Sequence, residues 1–130
     1  MILKLRDWIG EIPTARTFNF YLGDWYSYHD SSDKKYIAVQ QNGGRRRDEG
    51  VRYPHYVATA VSAKVNSVAE RDAAVLELLA LMDTIIERTR HAPCSMVSMI
   101  SIAPLGEVVG PVSTDGGRMV VTLTLECISE

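Results

Sequence analysis

Three adjacent arginines, Arg45, Arg46 and Arg47, are the densest concentration of a single chemistry in the chain. They follow Asn42-Gly43-Gly44 and precede Asp48-Glu49-Gly50. On a loop, such guanidinium groups would bind phosphate, or carboxylates of a protein partner. The simpler reading is a solvated loop whose charge is partly neutralised by Asp48 and Glu49. A protein interface lies between these two, because arginine is enriched among residues that dominate interface energies. The other reactive side chains are scattered. His29, His55 and His91 are far apart, and His91-Ala92-Pro93-Cys94 supplies a single His/Cys pair where structural zinc takes four ligands. Asp30, Asp33, Asp48 and Glu49 would make an acid–base pair only if brought together. In polar surroundings they read as solubilising carboxylates. Gly43-Gly44 and Gly116-Gly117 lack the lysine and helix start of a phosphate loop, so turn geometry explains them better. No Ser/His/Asp or Cys/His nucleophile pattern can be assigned. The reading is of a non-enzyme, with no catalytic, cofactor-binding or metal-binding residue.

The elements that would carry these residues can be read from periodicity. Met1 to Ile9 suits a short helix bringing Leu5, Trp8 and Ile9 together, stopped by Gly10 and Pro13. Thr17 to Leu22 is β-prone, as a short strand or extended arm. His29 to Lys35 reads as a turn or loop, and Tyr36 to Gln40 as a strand. Gln41 to Tyr53 is expected to be a flexible loop, and Pro54, which cannot donate to a ladder, to mark the entrance of a strand running from Tyr56 to Val65. Ser67-Val68-Ala69-Glu70 has the form of a capping box. Beyond it Val75, Leu78, Leu79, Met82, Ile85 and Ile86 repeat at helical spacing to about Arg90, where Pro93 prevents continuation. Each such side chain contributes roughly 1.5–3 kcal/mol when buried, before entropy is counted. An apolar segment from Met96 to Leu105 and a turn at Asp115-Gly116-Gly117 lead to a final strand from Arg118 to Ile128. There Met119, Val121, Leu123, Leu125 and Cys127 share one face, and Thr122, Thr124 and Glu126 the other.

These elements assemble into a single α+β domain over residues 1–130. We expect a mixed, mostly antiparallel sheet of about four strands, one long helix packed on one face and a short N-terminal helix. A chain of 130 residues can bury roughly 70% of its unfolded surface, enough for one core. A net charge of −2 gives no global attraction to nucleic acid or to acidic membranes. No apolar run approaches the ~20 residues that span a bilayer, and the N-terminus is too soon charged for a secretory signal. Two cysteines, Cys94 and Cys127, make no disulfide framework, so a reduced, cytoplasmic site of synthesis is expected.

The order of segments resembles the tail-terminator (minor tail, tail-to-head joining) family of lambda-type long-tailed bacteriophages. The residues that carry the resemblance are Tyr36-Ile37-Ala38-Val39, the Gly-Gly loop, Tyr53-Pro54, the long helix, Pro104-Leu105-Gly106, Gly110-Pro111 and Asp115-Gly116-Gly117-Arg118 before the last strand. The likeness runs from about residue 35 to the end, and residues 1–34 add little to it. Trp25, Tyr26 and Tyr28 have no counterpart in it. The resemblance implies a homohexameric ring that caps the tail tube, stops its polymerisation and gives the head a joining surface. Its partners would be other copies of itself, the tail-tube protein and a head-completion or connector protein, with no membrane. DNA would pass through the ring without sequence-specific binding. The site would be the head-proximal end of the virion tail, after assembly in the host cytoplasm. Arg45, Arg46, Arg47, Asp48, Glu49, Asp115 and Arg118 are the protein-interface candidates.

Two other classes of function fit the residues. A nucleic-acid-binding module would use Arg45 to Arg47 with Tyr53 and Tyr56 and lose affinity steeply with salt. A ferredoxin-like ligand-binding domain or enzyme would need a pocket with convergent polar groups.

Overall fold

The computed structural model describes residues 2–23, 34–48, 51–91, 99–114 and 116–129. The chain opens with helix α1 (Ile2–Gly10), in which Leu5, Trp8 and Ile9 are buried. A 3-10 turn (Pro13–Thr17) follows, with proline at its start, and Ile12, Ala15 and Phe18 join the same core. The strands are β1 (Asn19–Leu22), β2 (Tyr36–Asp48), β3 (Val51–Val61), β4 (Met99–Ser113) and β5 (Met119–Ser129), and the long helix α2 (Val68–His91) lies between β3 and β4. They form one sheet of order β1-β2-β3-β5-β4. The pair β1–β2 is parallel and the other neighbouring pairs are antiparallel. The sheet is therefore mixed and mostly antiparallel as expected, but has five strands rather than about four.

Alternation along the strands sorts the sheet into two faces. Ile37 and Val39 of β2, Tyr56, Ala58 and Ala60 of β3, and Val121, Leu123, Leu125 and Cys127 of β5 are buried in the cluster that holds both helices. Helix α2 lies against β4 and β5, and α1 against β2. Leu78, Met82 and Ile85 are fully buried, Val75, Leu79 and Ile86 partly so, and Leu81 widens the stripe. At the start of α2 the Glu70 amide donates to Ser67 Oγ at 3.2 Å. The Glu70 carboxylate accepts from the Asn66 amide at 2.8 Å, one residue before the cap rather than from the cap itself. The helix ends at His91. Pro93, its expected stop, lies outside the described residues, as does most of the turn expected over residues 29–35.

Three expectations about strands need correction. Residues 41–53 are not a loop between elements: 41–48 continue β2 and 51–53 belong to β3, with Gly44 opposite Pro54, Arg45 opposite Tyr53 and Asp48 opposite Val51. Charge and glycine content suggested a loop, but a hairpin held by main-chain bonds tolerates both. Pro54 sits within β3, not at its entrance, and β3 is interior to the sheet. The register shift between Gln41 and Gly44 accommodates it. There Gly44 has φ +150°, and a Cβ at that position would lie 2.6 Å from the Tyr53 carbonyl oxygen and 2.8 Å from Pro54 Cα. Strand β3 ends at Val61, short of Val65. Strand β4 extends beyond the apolar segment to Ser113, through register shifts after Leu105 and after Val109.

Candidate interaction surfaces

The sequence-predicted interface residues are not one patch. Strand β1 accompanies β2 only as far as the pair Leu22 and Val39. Beyond it the outer side of β2 meets no other strand among the described residues, and Arg45, Arg46, Arg47 and Asp48 belong to that part of β2. Glu49 and Asp115 lie outside the described residues.

Arg118 departs most from expectation. It is fully buried, not a surface guanidinium. Its Nη1 donates to the carbonyl oxygens of Lys34 at 2.7 Å and Ser62 at 2.9 Å, and the group stands over the Tyr36 ring at 5.7 Å. The last hairpin places it there: the Thr114 amide donates to the Arg118 carbonyl, and the Arg118 amide to Thr114 Oγ1. Gly117, at φ +80°, makes the turn between them. A buried guanidinium must be paired, and this one ties the entrance of β2 and the exit of β3 to the β4–β5 hairpin.

The histidines and carboxylates stay apart. His29, Asp30, Asp33 and Cys94 lie outside the described residues. His55 Nε2 and Glu126 Oε2 are 2.8 Å apart on directly opposed positions of β3 and β5. They belong to the sheet face turned away from the helices. On the core face, burial and the neighbouring Glu126 charge push the Cys127 thiol up to about 12, and burial also raises Tyr56. A thiol held so far up is no nucleophile at neutral pH. Among the described residues no three His, Cys, Asp or Glu side chains form a group able to hold a metal ion.

Two further surfaces escaped the sequence reading. Between the 3-10 turn and α2 lies a hollow of about 560 Å³, lined by Ile12, Pro13, Asp83, Thr84, Glu87 and Arg88. Arg88 is turned inward there: it bonds Glu11 and stands 5.1 Å over the Trp8 ring. These partners are separated by most of the chain, so no local pattern reveals them. The second surface is the outer strand β4, where Leu105, Val109 and Val112 are exposed. Their cross-strand partners Thr124, Thr122 and Val120 extend that surface across the face away from the helices.

The hollow beside α2 and the exposed apolar strand β4 are surfaces that other macromolecules can meet. The sequence matches the family described as phage tail termination protein over residues 1–130, and the chain belongs to that family. It is a structural, tail-terminating protein of the bacteriophage virion tail, where it meets tail-tube and head components. The match takes in residues 1–34, which contributed little to the resemblance read from the sequence. No curated protein matches the chain.

Proposed function

We propose that this protein caps the end of the tail tube as a homohexameric ring, stops tube polymerisation and provides the surface to which the head joins. DNA passes through the ring without sequence-specific binding. The observation that carries this reading is the family match over the full 130 residues. The fold supports it, because the lateral margins of the sheet are unlike among the described residues: the short, parallel β1 on one side, the long β4 on the other. Unlike margins suit head-to-tail contacts that close by rotation. Termination is then surface occupation: a ring that matches the tube's last ring but offers no site for another tube subunit ends growth. Ring assembly belongs to the host cytoplasm, and the finished ring to the head-proximal end of the tail.

Purified protein added to tail tubes should appear by electron microscopy as a six-fold ring on one tube end. Tubes so capped should not lengthen when free tube subunit is supplied. Protein that remains monomeric by native mass with tubes present, and tubes that keep growing, would overturn the reading.

A further inference from the structure

We propose that the outer part of the sheet face turned away from the helices, centred on Leu105, Val109 and Val112 of β4, seats on the end ring of the tail tube. This rests on the ring reading and names the surface by which the ring caps. The three side chains are 37%, 64% and 57% exposed. They lie opposite Thr124, Thr122 and Val120 of β5, which are half-buried. Strand β3 continues the face inward, with Val57 opposite Thr124 and Thr59 opposite Thr122. Both helices belong to the other face. The longer segments outside the described residues are tethered elsewhere: 24–33 between β1 and β2 at the opposite margin, and 92–98 at Met99, roughly 30 Å along β4 from Val109. The patch is neutral as well as bare. Residues Tyr56 to Val61 and Met119 to Leu125 include no charged side chain, and Ala103 to Ser113 only Glu107. Helix α2, on the opposite face, carries eight between Glu70 and Arg90.

Shape, charge and size select the occupant. Strand β4 closes the sheet order, yet it suits strand addition poorly. Pro104 and Pro111 lack N–H donors, and the register shifts after Leu105 and Val109 interrupt the ladder. A partner is therefore met through side chains, not through the main chain. Neutrality selects an apolar, uncharged protein surface over a phosphate backbone, which is held by cations. Size selects a repeated one. Three strands about 4.8 Å apart and six residues of rise make a face of roughly 300 Å², well below the ~800 Å² per partner of a stable pair. A single copy on a single subunit holds weakly, and two copies face to face hold no better. Six in a ring, each seated on one subunit of a ring-shaped partner, gain through effective concentration what one contact lacks. Termination, the act in the family's description, makes the tail tube that partner.

The test places charge on the patch. Val109→Lys with Val112→Lys should leave the ring intact by native mass. It should lower affinity for preformed tubes by about tenfold or more in co-sedimentation, because a lysine in an apolar contact is desolvated without a partner. Leu76→Lys, at an equally exposed apolar site on α2, should bind tubes like the parent. Parent binding should change by less than about threefold between about 50 and 500 mM salt, since an uncharged contact has little to screen. If the lysines cost the fold, judged by circular dichroism and urea midpoint, Val109→Ser with Val112→Ser should still weaken tube binding by about threefold or more. Parent-like tube binding by the folded patch variant, equal loss in Leu76→Lys, or a fall of about tenfold in parent binding over that salt range would overturn the proposal. So would rings lost from a folded lysine variant, which would make the patch a lateral contact. Tubes capped normally but no longer joined by heads would assign the patch to the head and overturn it too. Each of these leaves the ring reading standing, whereas a parent that forms no ring on tubes defeats both.

Discussion

At the scale of single residues, burial decides what each charged or strained group does. Arg118 was legible as part of a turn motif but not as a buried strut, because its acceptors, Lys34 and Ser62, come from distant parts of the sequence. Arg118→Met should leave two carbonyl oxygens without their charged donor and lower stability by about 1.5–3 kcal/mol in urea unfolding. Arg118→Lys should recover part of that loss. Values within error of the parent would mean that the guanidinium contributes nothing to the fold. Gly44 and Gly43 offer a matched pair. Both have positive φ, but a Cβ meets main-chain atoms only at Gly44, whereas at Gly43 nothing lies within 4 Å. Gly43→Ala should therefore cost about 1–2 kcal/mol, the left-handed penalty alone. Gly44→Ala should cost more, since the Tyr53 carbonyl and Pro54 must move. Equal midpoints for the two variants would show that the hairpin yields there.

Cys127 gives a pH dependence whose sign can be worked out. Its thiol is raised in the folded protein from 9.0 to about 12, so folding favours the protonated form. The resulting stability is fully present below about pH 9 and is lost as pH rises towards 12, with a slope of at most about 1.4 kcal/mol per pH unit. Tyr56, raised by burial, acts in the same direction. Urea midpoints should fall across that range in the parent, and less steeply in Cys127→Ala. Identical slopes would show that the thiol titrates alike in both states.

At the scale of elements, what was legible was what repeats locally. The α2 stripe and the alternation of β5 were plain in the sequence because each element buries one side, and period alone reveals that side. Ser67 is the N-cap expected from the capping pattern, and Ser67→Ala should cost about 0.5–2 kcal/mol in urea unfolding with assembly unaffected. No change would mean that Asn66 and Glu70 hold the helix start by themselves. The distal β2–β3 hairpin was not legible. Neither strand there alternates apolar and polar residues, and Gly43, Gly44 and the charges from Arg45 to Asp48 imitate a loop. Main-chain pairing holds it, and side-chain patterning reports nothing about that. The hollow beside α2 was hidden for a different reason: Ile12 and Arg88, which line it together, are far apart in sequence, and no local pattern links them.

At the scale of the molecule, the N-terminal segment is an integral part of the helical layer rather than an appendage. Leu5, Trp8, Ile9 and Ile12 are each at most 2% exposed, and they belong to the same cluster as Leu78, Met82 and Ile85 of α2. Trp8 lies at the seam between the two helices, with Arg88 of α2 over its ring. Removing a buried tryptophan side chain costs roughly 3–5 kcal/mol, because the cavity closes only in part. Domains of this kind are stable by roughly 5–15 kcal/mol in total, so Trp8→Ala should leave a chain close to unfolding and shift its urea midpoint strongly downward. Trp8→Phe retains most of the apolar contact and should lose much less. Both should unfold in a single transition if the helices and sheet share one core. Should Trp8→Ala unfold within about 0.5 kcal/mol of the parent, the range of a neutral surface change, α1 would be docked on a core already complete without it.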